Sequence, residues 1–185
     1  MNTTPFQLGP TDSAKPRLSA LLKELEMARR FTLSIARDLS AEQLAATPVA
    51  GKNTIGSVLS HLAAAESVMQ RVTTLGEAFP EGTESEREVF GFVRDPLKGS
   101  ELAAYVEALN EVRERTKAIF AERDDDWLDQ PRTFLLNPAN FHYYWFHLIL
   151  DEARHQGQII LLRKYLTEGS DPDFNPYAGL AAKGD

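Results

Sequence analysis

The sequence has no cysteine among its 185 residues. That removes disulfides, thiolate metal ligands and cysteine nucleophiles together, and it fits a cytoplasmic setting. Basic residues are also scarce: 20 Lys and Arg stand against 27 Asp and Glu, a net charge of -7. A nucleic-acid partner wants a basic face, so that class is set aside. No run approaches the roughly 18 apolar residues that span a bilayer. The first residues, MNTTPFQLGP, lack the charged region and apolar core of a secretory signal. Neither a Gly-rich phosphate loop nor a Ser-His-Asp order is apparent. What remains is a chain long enough for one full core, acting on a small molecule.

Apolar residues recur at helical spacing in four long stretches. A first helix is expected from Lys15 to Leu39, with Leu18, Leu21, Leu22, Leu25, Ala28, Thr32, Ile35 and Leu39 inward. Ser40 and Gln43 make a capping-box pattern for a short helix. Asn53 is read as the cap of a second long helix, Thr54 to Leu75, with His61 beside its apolar stripe. Gly76 to Gly99 is a long polar connection that includes an acidic run, Glu81 to Glu88, expected as a solvated loop. Ser100 is read as the cap of a third helix ending near Arg123. Asp124 to Leu136 reads as irregular. A fourth helix follows from Asn137, taken as its cap with Pro138 at its first position, to Leu166. The expected fold is all-α, a four-helix bundle with a long crossover connection and no strand. Residues 1–14 form an irregular lead-in, 15–167 the bundle and 168–185 a tail in which Phe174 and Tyr177 are the residues able to pack.

The fourth helix holds three of the four histidines. His147, Asp151 and His155 follow one another at intervals of four, on nearly one face of the helix. Ionisable groups on an apolar face are costly unless paired or bound to metal. His147 and His155 lie about 12 Å apart along the axis, too far to share an ion whose bonds are about 2 Å. The pincer is therefore His147 with Asp151 or Asp151 with His155. A third ligand must come from another helix, where His61 is the histidine within a helix core; His142, near the start of the fourth helix, is the weaker choice. Two histidines and one carboxylate leave coordination positions open for water or substrate. Zinc, iron, nickel and manganese all suit the set, so the ligands alone do not name the metal; zinc or nickel is the expectation, with iron or manganese after them. The plain alternative is a core histidine bonded to its neighbour, His147 donating to Asp151.

Two stretches, SVLSHLAAAE and HLILDEARHQGQIILLRKYL, resemble the DinB/YfiT-like metalloenzyme superfamily. The stretch from LSALLKELEMARR onward is similar to that superfamily's first two helices, so the likeness runs from about Pro16 to Leu166. The resemblance implies a ligand set of His61, Asp151 and His155. Many members have His where this chain has Asp151; the mycothiol-dependent maleylpyruvate isomerase branch has Glu there, which gives a carboxylate precedent. It also implies a divalent metal, a low-molecular-weight thiol as cofactor and a thiol-dependent transferase or isomerase activity, with homodimer formation open.

Around that set His147 is read as a neighbour of the ligands or a core residue. Gln158 is read as a ligand-orienting group or part of helix packing with Gly157. Glu66, five residues after His61, is read as a residue that supports the ligands or lies on the substrate side, with a surface or capping role weighed equally; it is also the one group available as a general base if the protein were instead a metal-dependent hydrolase. Arg154 is read first as an outward salt bridge and second as a contact for an anionic substrate. Tyr143, Tyr144 and Trp145 are read as core. A non-catalytic dimeric bundle is the third reading.

Overall fold

The computed structural model describes residues 8–48, 53–78 and 95–167, together with 174, 175 and 177. The acidic run Glu81 to Glu88 lies outside these residues. The elements are α1 (Pro16–Ala36), a short α2 (Ala41–Ala45), α3 (Ile55–Thr74), α4 (Leu102–Ala121), a 3-10 turn (Asp125–Asp129), β1 (Pro131–Phe134), β2 (Asn137–Asn140) and α5 (Phe141–Leu166). The four long helices pack together, α1 against α5 and α4, and α3 against α4 and α5.

Several helix starts move from their expected places. Thr54, not Asn53, caps α3 by accepting from the Ser57 N–H. Glu101, not Ser100, precedes α4 and offers no side-chain cap. The capping box of Ser40 and Gln43 forms as read. Helix α1 opens with Pro16, whose missing N–H costs nothing there. Its next two N–H groups, of Arg17 and Leu18, donate to the two carboxylate oxygens of Asp125 at 2.8 and 2.9 Å. Asp125, the middle of three consecutive aspartates, thus caps a helix more than a hundred residues away. At the other end, Arg163 donates to the Ile35 and Arg37 carbonyls and so satisfies the last turn of α1.

The largest departure lies before α5. Residues expected to be irregular or the first helical turn form a two-stranded antiparallel hairpin, with Phe134 paired to Asn137 and Pro131 to Asn140. Asn137 is therefore not a cap and Pro138 is not helical; Asn140 caps α5 by accepting from the Tyr143 N–H at 2.9 Å. The two-residue turn consists of Leu135 and Leu136, both at positive φ, 46° and 66°. That backbone is usually given to Asn-Gly, so the leucines hid the turn. Phe134 ties the hairpin down, its ring 5.2 Å from Tyr144 and 4.7 Å from His147.

Two apolar clusters fill the bundle. One gathers Leu18, Leu21, Leu25, Val68, Met69, Val72, Phe120, Tyr144, Trp145 and Leu148 at the hairpin end. The other gathers Ile35, Leu39, Leu44, Ile55, Val58, Leu59, Leu62, Tyr105, Leu109, Ile159 and Leu162 at the opposite end. Most of the buried polar residues gather where these two sets meet: Arg29 and Thr32 on α1, His61 and Glu66 on α3, Arg113 and Thr116 on α4, Asp151, Glu152 and His155 on α5; Gln70, Thr73 and Arg163 lie farther along. The bundle thus carries a buried polar belt at its waist. Near the belt's α3 edge, Asp95 accepts from Ser60 and Tyr105 where the crossover rejoins the bundle. A Cβ at Gly56 would lie 2.5 Å from both the Tyr105 hydroxyl and the Asp95 carboxylate, so only glycine admits this anchor. Phe174 and Tyr177 do pack, Phe174 under the Arg163 guanidinium at 4.3 Å and Tyr177 on the edge of Phe31 at 5.1 Å.

Candidate metal centre

Helices α3 and α5 lie side by side, and the belt residues that face one another across their seam are His61, Asp151 and His155, all buried. Asp151 and His155 share a face because they are one turn apart. His61 joins them because its turn of α3 sits level with theirs. The two imidazole rings lie with centroids 4.7 Å apart and planes at 66°. His61 Nε2 is 3.1 Å from Asp151 Oδ2, and His155 Nε2 is 3.6 Å from Oδ1. One atom from each of the three residues lies within 4.8 Å of the other two.

These separations suit an ion. Bonds of about 2.1 Å at tetrahedral angles place neighbouring ligand atoms about 3.4 Å apart; each imidazole nitrogen is at about that distance from one of the two Asp151 oxygens, and the three ligand atoms taken together lie within 4.8 Å. The tautomer fits as well. His155 Nδ1 lies 2.9 Å from the Gln158 side-chain amide oxygen, and the tautomer with its proton on Nδ1 donates to that oxygen. Nε2 then turns a lone pair toward a carboxylate, an arrangement that a cation between them makes favourable. The buried His/Asp/His set could therefore bind a metal.

The charges agree with a neutral imidazole and an ionised carboxyl. Burial pushes His155 below the ordinary histidine range, against the opposing pull of the Asp151 charge. Burial alone would raise the Asp151 carboxyl; the His61 hydrogen bond, helped by the charges of His155, His61 and Arg154, holds it below the usual range. Protons thus compete weakly for His155 and Asp151 near neutral pH.

The other residues singled out from sequence separate clearly. Gln158, on the exposed side of α5, orients His155 directly. Arg154 lies with Nη1 3.4 Å from Asp151 Oδ1. His147 is half-buried one turn before Asp151, packed on Phe134 and Tyr143, and does not belong to the three-residue set. His142 sits at the first turn of α5 near Asp129, remote from the seam. Glu66 points elsewhere: its oxygens accept from Arg113, Thr116 and Arg29 at 2.6 to 3.0 Å. With both oxygens occupied it is not a base waiting at the open side. Tyr144 and Trp145 are core, whereas Tyr143 is exposed.

Sequence reading missed the partners of Glu66. Arg29 donates through Nε to Glu152, through Nη2 to Glu66 and through Nη1 to the Leu109 carbonyl. Together with Arg113 these residues tie all four long helices. A signal was present, since Arg29 stands between Leu25 and Thr32, and Arg113 between Leu109 and Thr116, on the apolar stripes themselves.

The mycothiol-S-transferase family model matches residues 20–168, which include both halves of the three-residue set. No curated protein matches the chain. No helix among the described residues is long and apolar enough to cross a membrane.

Proposed function

Because this chain belongs to the mycothiol-S-transferase family, we propose that it is a divalent-metal-dependent enzyme joining the mycothiol sulfur to an electrophilic small molecule. His61 Nε2, the Asp151 carboxylate and His155 Nε2 would hold the ion, with zinc or nickel the best match to two imidazoles and one carboxylate. The ion would stabilise a thiolate and so supply a nucleophile at neutral pH. The observation that carries this reading is the seating of three ligand atoms from two helices within 4.8 Å of one another, in a buried place.

The chain's own residues divide the remaining work. Gln158 keeps the His155 proton on Nδ1 and so directs Nε2 inward. The apolar clusters on either side of the belt hold α3 and α5 in register, and they keep bulk water from the imidazoles. In the transfer a sulfur–carbon bond forms, the bond to the electrophile's leaving group breaks, and the thiol proton passes to solvent. Hydrolysis is the weaker reading, because the carboxylate that would serve as its base, Glu66, is committed to two guanidinium groups.

Purified protein is expected to hold one divalent ion per chain by elemental analysis. His61→Ala and His155→Ala should each lose it and, with it, mycothiol conjugation to a haloalkyl substrate. Full metal content in both variants, or conjugation that survives a chelator, would overturn the assignment.

A further inference from the structure

The three candidate ligands are not equally enclosed. The side chains of His61 and His155 are 4% and 3% exposed, whereas Asp151 is 11% exposed. What lies on the exposed flank of Asp151 is the Arg154 guanidinium, itself 61% exposed. Asp151 is thus the most exposed member of the set, and Arg154 stands beside it. The same charge is felt at Asp151, His155 and His147, so it acts on this flank of the site beyond the one contact.

We propose that Arg154 is a specificity-determining residue that selects a substrate carrying a carboxylate or similar anion beside its reacting carbon. The inference rests on the metal-dependent transferase reading. Asp151 carries a single negative charge, and a divalent ion would more than cancel it. Arg154 then faces a centre of its own sign. Arg154 is 61% exposed and its nearest approach to Asp151 is 3.4 Å, so the pair is screened on the arginine side and adds little to holding α5 together. A guanidinium beside a cation weakens cation binding, and a purely structural residue gains nothing from that position. It does give a doubly positive mouth on a chain whose net charge is -7. Such a mouth takes a thiolate on the ion and leaves a planar, two-pronged donor for a second anion next to it.

The two roles predict opposite signs for one substitution. Arg154→Ala should bind zinc about 3- to 10-fold more tightly, as expected for removing a screened like charge near the ion. A competition titration against a chromophoric chelator reads this. The same variant should lose at least about tenfold in kcat/KM for conjugation of mycothiol to chloroacetate, mainly through KM, and little for its neutral isostere chloroacetamide. Arg154→Lys keeps the charge; it should retain wild-type zinc affinity and recover part of the chloroacetate preference. Equal losses on both compounds, no loss on either, or weaker zinc binding by the alanine variant would overturn this inference and leave the transferase reading standing. If the wild type binds metal but conjugates neither compound, the transferase reading fails. The residue's role is then decided by the cobalt-loaded protein, whose visible spectrum should respond to acetate and not to acetamide, with Arg154→Ala blind to both. A wild type that takes up no metal overturns both readings.

Discussion

Two groups of buried ionisable side chains share the waist of this bundle and handle charge in opposite ways. On the α1–α4 side, Arg29 and Arg113 meet Glu66 and Glu152, two positive charges against two negative, with each Glu66 oxygen accepting two hydrogen bonds. On the α3–α5 seam, two imidazoles converge on one carboxylate, and the His155 lone pair faces that carboxylate across 3.6 Å. The first group balances its charge within the chain. The second could hold a cation. A balanced, hydrogen-bonded ionic network can hold helix registers, whereas two imidazoles beside a carboxylate offer the donor set of a metal site. The contrast separates architecture from chemistry within one layer.

The largest effect should come from breaking the balanced side. Glu66→Ala leaves two guanidinium groups buried with one carboxylate between them and should cost about 3–5 kcal/mol of folding stability. Urea denaturation of the metal-free protein would measure it. His155→Ala at the seam should cost clearly less in the same assay, and parity between the two variants would erase the distinction drawn here.

A smaller effect should follow from loosening the seam without touching a ligand. Gln158→Ala frees the His155 ring and should weaken zinc binding by about 10- to 100-fold, the usual consequence of losing a ligand's hydrogen-bond partner. Metal-free stability should barely move, because Gln158 is exposed. Unchanged zinc affinity would mean that packing alone orients the imidazole.

The smallest effect is a pH signature. Burial holds His155 below its ordinary value, so the unfolded chain binds its proton more readily, and stability should fall as pH drops below about 6.5. Burial would raise the Glu66 carboxyl, but the Arg113 hydrogen bond and the two guanidinium charges outweigh it. Its stabilisation is present above about pH 4.3 and is lost only as pH falls through its lower folded value. Asp151, also held low, joins that acid window. Metal-free protein followed by thermal melts should therefore lose stability in two steps, about 1 kcal/mol per unit of pKa displacement. His155→Ala should shrink the upper step, leaving the part that comes from His147, which burial also holds low, and should trim the lower step slightly through Asp151.

Much of this was legible from the chain. The four long helices show in their leucine spacing, and the pincer shows in the four-residue interval from Asp151 to His155. His61 is the candidate left among histidines on other helices, and likeness to a known superfamily points to the same residue, but nothing in the spacing of α3 says which helix faces α5. The hairpin before α5 was not legible. Its turn uses Leu135 and Leu136 where Asn and Gly normally announce one, and Asn137-Pro138 imitates a helix start. The ionic network left a trace in the arginines on apolar stripes, but a stripe position says only that a charge is buried and not what neutralises it.

The sequence by itself determined the local matters: where helices run, which face of each is apolar, and that two ligand-type side chains stand one turn apart. Local spacing settles these because helix geometry repeats every few residues. Only the tertiary structure decided which buried charges meet. Glu66 and His61 lie five residues apart on the same helix, yet one faces arginines from α1 and α4 and the other a carboxylate and an imidazole from α5. That assignment depends on how four helices are rotated about their own axes, a quantity that burial of all their stripes fixes jointly and no single stripe contains.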